Sequence, residues 1–162
     1  MSDLPPPPPN WGQSSPGPAT LAEWPLRAGA FVADLVIFGV VSFIVGVPAR
    51  SVGTGAVIAG GVIVSALYFI LQEGNSGQTV GKRMWSLRVV GEDGGAISYS
   101  TAAVRWVVKY LVFQIMTLLL GFFAIAWVLA DYLWPLRDER NQTLHDKAAR
   151  TIVVVEPREE QQ

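Results

Sequence analysis

Three long stretches with almost no charged residues constrain this chain more than any other feature. They cover about residues 28–49, 51–72 and 110–130, and Asp34 is the one charged side chain within them. A helix rising 1.5 Å per residue needs about twenty residues to cross a hydrocarbon core about 30 Å thick, and each stretch has that length. Three such stretches in 162 residues are hard to explain as buried helices of a soluble fold. The sequence predicts an integral membrane protein.

The composition agrees with this prediction and argues against several kinds of site. Hydrophobic residues make up 51% of the chain and charged residues 15%, against about 25% charged in a typical soluble domain. The net charge of −1 argues against nucleic acid as a partner, because phosphate binding requires a basic surface. The chain has no cysteine, and His145 is its single histidine. We therefore expect no disulfide framework, no metal site and no cofactor.

The two ends of the chain differ in composition from the apolar stretches. Residues 1–22 are rich in proline, glycine, serine and glutamine and cannot bury a core, so we expect a disordered tail. We interpret this tail as a tether, with a docking peptide in the polyproline conformation as the alternative. We also expect disorder at residues 157–162, which leaves residues 23–156 as the membrane domain. The first apolar stretch lacks a preceding basic segment and a following A-x-A-like site, so it is expected to remain as an uncleaved anchor.

The number of membrane spans depends on residues 101–136, which form one long helical pattern. As a single rod, these residues would reach about 54 Å, which is too long for the bilayer core. Either the first half lies at the interface, which gives three spans, or the segment forms two short spans that turn near residues 117–121. Basic residues cluster within residues 73–110 and after residue 136, and both clusters can lie in the cytoplasm only with an even number of spans. We predict four helices, at about residues 28–48, 54–72, 101–117 and 119–136, with both termini cytoplasmic.

The second apolar stretch carries small residues at a spacing of four. Such pairs allow two helix backbones to approach closely in a membrane. We expect this face to pack against another helix of the chain, with a second copy of the protein as the alternative. The pairs are Gly55 with Ala59, Ala56 with Gly60, and Gly61 with Ser65.

Between the second and third stretches the sequence favours a small sheet. Residues 87–90 have strand character, the Asp-Gly sequence that follows favours a turn, and residues 96–99 are predicted to return as a hairpin. Residues 150–157 are a third strand candidate. "GQTVGKR" fails as a nucleotide-binding loop, because Ser76 replaces the first glycine of that motif and Arg83 its final serine or threonine. The predicted fold is an all-α membrane protein, a four-helix transmembrane bundle with a small cytoplasmic β-hairpin or three-strand element.

Asp34 lies within the first apolar stretch, where a carboxylate is unfavourable by about 2.5 to 3.5 kcal/mol. Arg27 is seven residues earlier, on the same helix face two turns away. One interpretation is that Asp34 has a structural role and stabilises the fold by bonding to Arg27, Arg105 or a backbone amide. The other is that Asp34 titrates or binds a cation, since charged groups at membrane depth often mark ion or proton paths. The sequence leaves both interpretations open.

Other charged residues near the third and fourth predicted helices have simpler interpretations. Asp131 is either a second intramembrane acid or is solvated at the interface, one turn before Trp134. Arg105 and Lys109 are expected to extend toward cytoplasmic headgroups, or to act as accessory residues of an ion site. Asp146 is expected to be a salt-bridge or helix-cap acceptor rather than a catalytic partner of its neighbour His145, because adjacent helical residues do not face each other. With no nucleophile motif, we predict no catalytic residues and no enzyme.

Three segments in this order resemble the RDD family of small bacterial membrane proteins, in a variant with a proline-rich N-terminal extension of actinobacterial type. The family is named for an arginine at the start of its first helix, an aspartate within that helix, and a second aspartate further on. "LRAGAFVADLVI" matches the first two at Arg27 and Asp34. "GQTVGKRMWSLRVV" resembles the loop after the family's second helix, and "DERNQTLHDKAARTIVVV" resembles its closing segment, which places the second aspartate at Asp146. Asp131 departs from this pattern as an additional acid.

The resemblance implies a multi-pass plasma-membrane protein for which transport, including cation/proton exchange in some members, is the usual suggestion. Our first hypothesis is a transporter or transport accessory for small cations or protons, with Asp34 carrying the exchangeable charge and Arg27 setting its pKa. A unit this small would then require a homo-oligomer or a partner subunit. The second hypothesis is a non-catalytic scaffold in the bilayer that recruits partners through its cytoplasmic loop, basic tail and proline-rich arm.

Overall fold

The computed structural model of the chain describes residues 20–156. They form a mostly helical protein with one small three-stranded sheet. Three helical stretches are long and apolar enough to cross a membrane by length and composition, namely Trp24–Pro48, Thr54–Ser76 and Tyr99–Leu136. The prediction of a multi-pass membrane protein is confirmed at this level.

The first two stretches are long single helices, α1 (Trp24–Ala49) and α2 (Thr54–Ser76). Pro25 stands in the first turn of α1, where its missing N–H breaks no helical hydrogen bond. Large apolar side chains such as Phe43 and Ile44 are each 65% exposed, as expected of a surface that faces lipid. Helix α2 ends before Gly77, which adopts the left-handed conformation (φ 70°) that favours glycine.

The third stretch is divided into several helical segments. They are α4 (Tyr99–Trp106), a π-helical turn (Val107–Leu111), α5 (Val112–Leu120), a 3₁₀ turn (Gly121–Phe123), α6 (Ala124–Leu133) and a second 3₁₀ turn (Trp134–Leu136). Two short helices complete the helical part, α3 (Val80–Met84) after α2 and α7 (Leu144–Ala148) near the end of the chain.

The chain reverses direction at Gly121, which has a positive φ of 58°. The indole nitrogen of Trp127 in α6 donates a hydrogen bond to the carbonyl of Val108, at 3.2 Å. On one straight helix these residues would lie about 28 Å apart. The segment is therefore not a single rod, and α6 runs back alongside α5.

The sheet has the strand order β1–β3–β2, and both pairings are antiparallel. Its strands are β1 (Thr20–Leu21), β2 (Leu87–Gly91) and β3 (Thr151–Val155). Leu87 pairs with Val155 at one end and Gly91 with Thr151 at the other. Leu87 and Val89 form a small core with Val153 of β3, with Ala22, and with Ala30 of α1. This core fixes the sheet against the start of α1.

Two predictions about the sheet require correction. The predicted return strand at residues 96–99 is reduced to one bridge between Val90 and Ala96, because Ser98 caps α4 instead and accepts a hydrogen bond from the amide of Thr101. The partner of β2 is β3, the third strand candidate.

Thr20 and Leu21, predicted to belong to the disordered tail, form β1, because their backbones complete the free edge of β3. Residues 1–19 and 157–162 lie outside the described residues.

The small residues of α2 do not form the expected close contact with another helix of the chain. A Cβ atom added at Gly55, Gly60 or Gly61 would meet nothing within 4 Å. The close contacts of α2 lie nearer its end, where the Trp106 indole donates to the Ser65 hydroxyl at 3.2 Å. The prediction of close intrachain packing is therefore wrong for these glycines, whereas Ser65, the last small residue of the series, does contact another helix.

Candidate functional site

A cluster of charged side chains lies at the ends of the helices next to the sheet. Four are basic and four are acidic, so their formal charges balance. Charged groups held away from water require partners, and most of these find them in one another. The members of this charged cluster are Arg27, Lys82, Arg105, Lys109, Asp34, Glu73, Asp131 and Asp146.

Asp146 is the centre of the strongest contacts in the cluster. Its two carboxylate oxygens are bound by the guanidinium groups of Arg27 and Arg105, and its side chain is fully buried. It also forms a capping box with Thr143 at the start of α7, accepting from the Thr143 amide at 3.0 Å. Burial alone would raise the pKa of Asp146, but Arg27 and Arg105 hold that pKa well below its usual range. Asp146 is thus both the salt-bridge acceptor and the cap acceptor that the sequence predicts.

Arg27 does not contact Asp34, so the predicted pairing of these two residues is not observed. The Arg27 side chain instead binds Asp146 and donates to the Asn141 carbonyl at 2.6 Å. The reason is position along α1. Arg27 lies in the first turn, beside α7, whereas Asp34 lies two turns further on, about 10 Å away along the helix axis.

Asp34 is 2% exposed and is held by hydrogen bonds from two other segments of the chain. Its Oδ1 accepts from the Tyr68 hydroxyl at 3.0 Å and from the Gly81 amide at 2.8 Å, while its Oδ2 contacts the Thr79 hydroxyl. No basic side chain within residues 20–156 forms a salt bridge with it. Of the three partners predicted for a structural role of Asp34, the backbone amide is the one observed. It is the amide of Gly81, in the "GQTVGKR" loop.

The same loop explains the position of Glu73, which sequence reasoning missed. Glu73 Oε1 accepts from Lys82 at 2.6 Å, and its Oε2 accepts from Arg105 Nε at 2.9 Å. The signal available in the sequence was an acid one turn after Phe69, at the end of an apolar helix.

Arg105 is 2% exposed and bridges Glu73 to Asp146, so the prediction that it extends to headgroups is wrong. Two buried carboxylates at its own depth hold the guanidinium inside.

Lys109 also departs from the predicted position. Its ammonium lies 4.9 to 5.5 Å from the centroids of four aromatic rings, those of Phe31, Phe69, Tyr110 and Tyr132. Within the part of the chain that the structure describes, it forms no salt bridge and no side-chain hydrogen bond. It lies one turn after Arg105 on the face that meets α1 and α2, which places it in the interior rather than at the surface.

Asp131 is 1% exposed, so the prediction of a solvated interfacial acid is wrong. The backbone amide of His145 donates to its Oδ1 at 3.0 Å, and the ring Nδ1 lies 2.7 Å from its Oδ2. Because a carboxylate only accepts, Nδ1 carries the proton in the neutral ring. His145 Nε2 faces Asp146 Oδ1 at 3.7 Å. The histidine therefore connects the two acids, and its contact at hydrogen-bond distance is to Asp131.

We expect the free energy of unfolding to decrease as the pH falls below about 6.5, the ordinary pKa of histidine. Burial lowers the pKa of His145 despite the attraction of Asp146 and Asp131, so the unfolded chain takes up a proton at higher pH than the folded protein. This contribution to stability is complete above the unfolded pKa and is lost as the pH falls through the lower folded pKa. SDS unfolding in mixed micelles at about pH 7.5 and about pH 5.5 measures the difference.

The control for this pH dependence is His145→Asn, whose amide nitrogen keeps a donor near Nδ1 but does not titrate in this range. The ring of His145 faces Asp131, Asp146, Arg105 and the Tyr132 ring, and none of these changes in the variant. We expect a smaller difference between the two pH values for the variant. The same difference in both proteins would contradict the assignment to His145.

Two neighbouring cavities adjoin the charged cluster. A cavity of about 580 Å³ lies between α1, α2, α5 and α6 with mostly apolar walls. A second cavity of about 30 Å³, enough for a water molecule, is bordered by Asp34, His145 and the basic residues of the cluster. Phe31, Lys109 and Tyr132 line both cavities. Lys109 is the one charged residue among those that line the large cavity.

The arrangement of acids within residues 20–156 offers no metal centre, since no group of three or more His, Asp or Glu side chains has a suitable geometry. The contacts observed in the cluster are hydrogen bonds and ion pairs between neighbouring groups.

Comparison with known proteins identifies the family. The model of the RDD family matches residues 21–150, a range that contains every member of the charged cluster. No curated protein and no solved structure matches the chain significantly. The matched range covers most of the chain, including Arg27, Asp34 and Asp146. This integral membrane protein therefore belongs to the RDD family.

Proposed function

We propose that the protein is a plasma-membrane transport protein, or a subunit of one, in which Asp34 carries an exchangeable proton. The observation that carries the proposal is the environment of Asp34. This carboxyl group is buried, has hydrogen-bonding partners but no salt bridge within the described residues, and borders a small polar cavity. Ionisable groups at membrane depth are unfavourable and often mark ion or proton paths.

The hydrogen bonds of Asp34 suit both of its protonation states. Oδ1 accepts from the Gly81 amide and the Tyr68 hydroxyl, so it remains the acceptor in either state. Oδ2 contacts the Thr79 hydroxyl, which is able to donate to a carboxylate or to accept from a carboxylic acid. Asp34 can thus gain or lose a proton at Oδ2 by rotation of one hydroxyl, without backbone movement.

A series of groups leads away from Asp34. The small cavity links it to Lys109 and His145, and His145 in turn contacts Asp131. Lys109 lies between this cavity and the large one among the helices. A proton moving from the large cavity toward the sheet end therefore has Lys109, a water-sized space and Asp34 in succession.

The charges around the small cavity favour a proton over a metal cation as the exchanged species. Arg27, Lys82, Arg105 and Lys109 all border this cavity. Asp34 is the one carboxylate among the residues that line this cavity, whereas a bound metal cation requires several oxygen ligands. The proton is therefore the proposed substrate, and sodium, lithium and potassium are included in the vesicle experiment below for comparison.

For topology, we infer four spans in a helical bundle, with the sheet and both termini in the cytoplasm. The support is the chain reversal at Gly121 together with the positive-inside rule. Basic residues are concentrated at the sheet end, whereas the turn at Gly121 has no charged neighbour in the sequence from Tyr110 to Ala130. A bundle this small fits a homo-oligomer or a complex with a partner subunit.

We expect Asp34→Asn to abolish proton movement while the protein remains folded and inserted. The asparagine oxygen still accepts from the Gly81 amide, and its nitrogen donates to Thr79, so the local structure is retained, but the side chain no longer titrates. Inside-out vesicles containing wild type or variant are given a pH gradient, and its collapse is followed after adding Na⁺, Li⁺ or K⁺, or without added cation.

The matched control is Asp93→Asn, a surface carboxylate in the β-turn after β2, which should behave as wild type. Wild-type vesicles that dissipate the gradient no faster than empty vesicles under any condition would overturn the transport proposal. Collapse that requires one of the cations in the wild type would make exchange, rather than proton movement alone, the activity.

A scaffold remains the second hypothesis from sequence, but no contact within residues 20–156 favours it over transport. Several basic residues that were expected to recruit partners are bound within the protein. Lys82 and Arg105 pair with Glu73, Arg88 with Glu156, and Lys147 with Asp138. The proline-rich arm lies outside the described residues.

A further inference from the structure

We propose that the large cavity is a binding site for an amphipathic anion with a single hydrocarbon chain, of the fatty-acid type, whose carboxylate binds Lys109. This site goes beyond the proton movement proposed above, and neither requires the other. The cavity of about 580 Å³ lies within the usual range for small-molecule sites, about 300 to 1,000 Å³.

The shape of the cavity fits an extended chain. Its lining residues on α1 run from Phe31 to Gly46, which corresponds to about 22 Å along the helix axis. One leaflet of a bilayer core is about 15 Å thick, so the cavity can accommodate a common acyl chain along its length. A two-chain phospholipid is too large for this volume.

Lys109 supplies the reason for an anionic head group. It is the one charged residue among those that line this cavity, and it has no carboxylate or other hydrogen-bond acceptor within the described residues. Four aromatic rings surround the ammonium, but cation–π contacts of about 2 kcal/mol do not satisfy its three N–H donors. A carboxylate bound here would provide both the missing charge and the missing acceptor.

Unpartnered hydroxyl groups in the same walls support a polar head group near Lys109. The hydroxyls of Tyr110 and Tyr132 are buried and have no hydrogen-bond partner within residues 20–156, and both rings contact the Lys109 ammonium. Buried polar atoms are normally satisfied, so two such exceptions on residues that line one cavity point to a missing partner. The ammonium is therefore the donor that we assign to the carboxylate, and the two tyrosines contribute further buried polar groups to the same walls.

The glycines of α2 explain why the space is open. Gly60 and Gly61 line the cavity, and a Cβ atom at either position would meet nothing within 4 Å. Larger residues there would project into free space and fill it. The small residues therefore preserve room for a ligand rather than a close contact between helices of this chain.

The test uses the purified full chain in lipid nanodiscs and 9,10-dibromostearate, whose bromine atoms quench tryptophan fluorescence on contact. Trp106 lines the cavity, so bound ligand should produce a saturable component of quenching that Trp106→Phe reduces. The uncharged methyl ester of the same acid measures partition into the bilayer. We expect Lys109→Met to weaken saturable binding by at least about tenfold, because a charged hydrogen bond is lost.

Gly61→Leu provides a second variant that fills the cavity without altering the charged cluster, and it should weaken binding to a similar degree even if Lys109→Met does not fold. Gly39→Leu is the matched control, since Gly39 is exposed in α1 and does not line the cavity. Quenching that is equal for acid and ester, and equal in all variants, would overturn the proposal. Saturable binding of the acid that only the cavity variants weaken would support it.

Discussion

Asp146→Asn is expected to lower the free energy of unfolding by about 3–5 kcal/mol, the usual loss when one partner of a buried ion pair is removed. Asp146 is the shared acceptor of Arg27 and Arg105, and its side chain is fully buried. The asparagine would oppose two guanidinium groups with an uncharged amide, leaving excess positive charge in the interior. SDS unfolding in mixed micelles, followed by tryptophan fluorescence, measures the change.

The effect of Asp146→Asn should extend beyond α7. Arg27 belongs to α1, Arg105 to α4, and Arg105 also binds Thr151 at the start of β3. Losing the central acceptor therefore loosens the sheet from the helices, and we expect faster proteolysis after residue 137 as well as a lower unfolding midpoint.

Glu92→Gln is the matched control for Asp146→Asn. Glu92 and Arg140 form a largely exposed pair at 3.5 Å, and surface pairs contribute about 0–1 kcal/mol. A loss of stability for Asp146→Asn no larger than that of the control would show that the buried ion pairs do not hold the helices to the sheet.

Gly81→Ala is expected to lower the free energy of unfolding by about 3 kcal/mol, the upper part of the usual range for overpacking. A Cβ atom at Gly81 would overlap the carbonyl oxygen of Ala30 and lie 2.7 Å from the Asp34 carboxyl carbon. Neither group is the free end of a flexible side chain, so α3 would have to move away from α1. That movement would also lengthen the hydrogen bond from the Gly81 amide to Asp34.

The comparison variant is Gly39→Ala, which lies on α1 near Asp34 but meets nothing within 4 Å. It should be neutral or slightly stabilising, because alanine favours the helix more than glycine. The same unfolding titration compares the two. Equal stability of Gly81→Ala and Gly39→Ala would contradict the close approach of α3 and α1. If Gly81→Ala inserts into the membrane, we also expect it to reduce proton movement in the vesicle assay, since Asp34 would lose its backbone partner.

Several features could be predicted from sequence because they depend on local pattern. The apolar stretches have the length of membrane spans, and hydrophobicity over about twenty residues is sufficient to show that. Strand β3 has the β-branched composition of a strand, and the Thr143–Asp146 spacing is that of a helix cap. The sequence also predicts Asp146 as a salt-bridge or helix-cap acceptor, without identifying its partners.

The pairing of the charged residues could not be predicted in the same way. Arg27 lies 119 residues from Asp146, and Arg105 lies 41 residues from it. Periodicity suggested Arg27 as a partner for Asp34 because both lie on one helix face. Partner choice is decided by the depth at which each side chain meets other segments, and helical spacing does not contain that information.

By itself, the sequence determined that the chain enters a membrane, where its apolar helices lie, and that a few charged residues must be accommodated near them. The physical reason is that transfer of apolar and charged groups between water and lipid depends mainly on composition and length. Only the tertiary structure decided that Glu73 and Asp146 hold Arg105, that the "GQTVGKR" loop rather than an arginine holds Asp34, and that Lys109 lies between two cavities. These features arise where the ends of several helices meet the sheet, so they depend on how distant segments pack against one another.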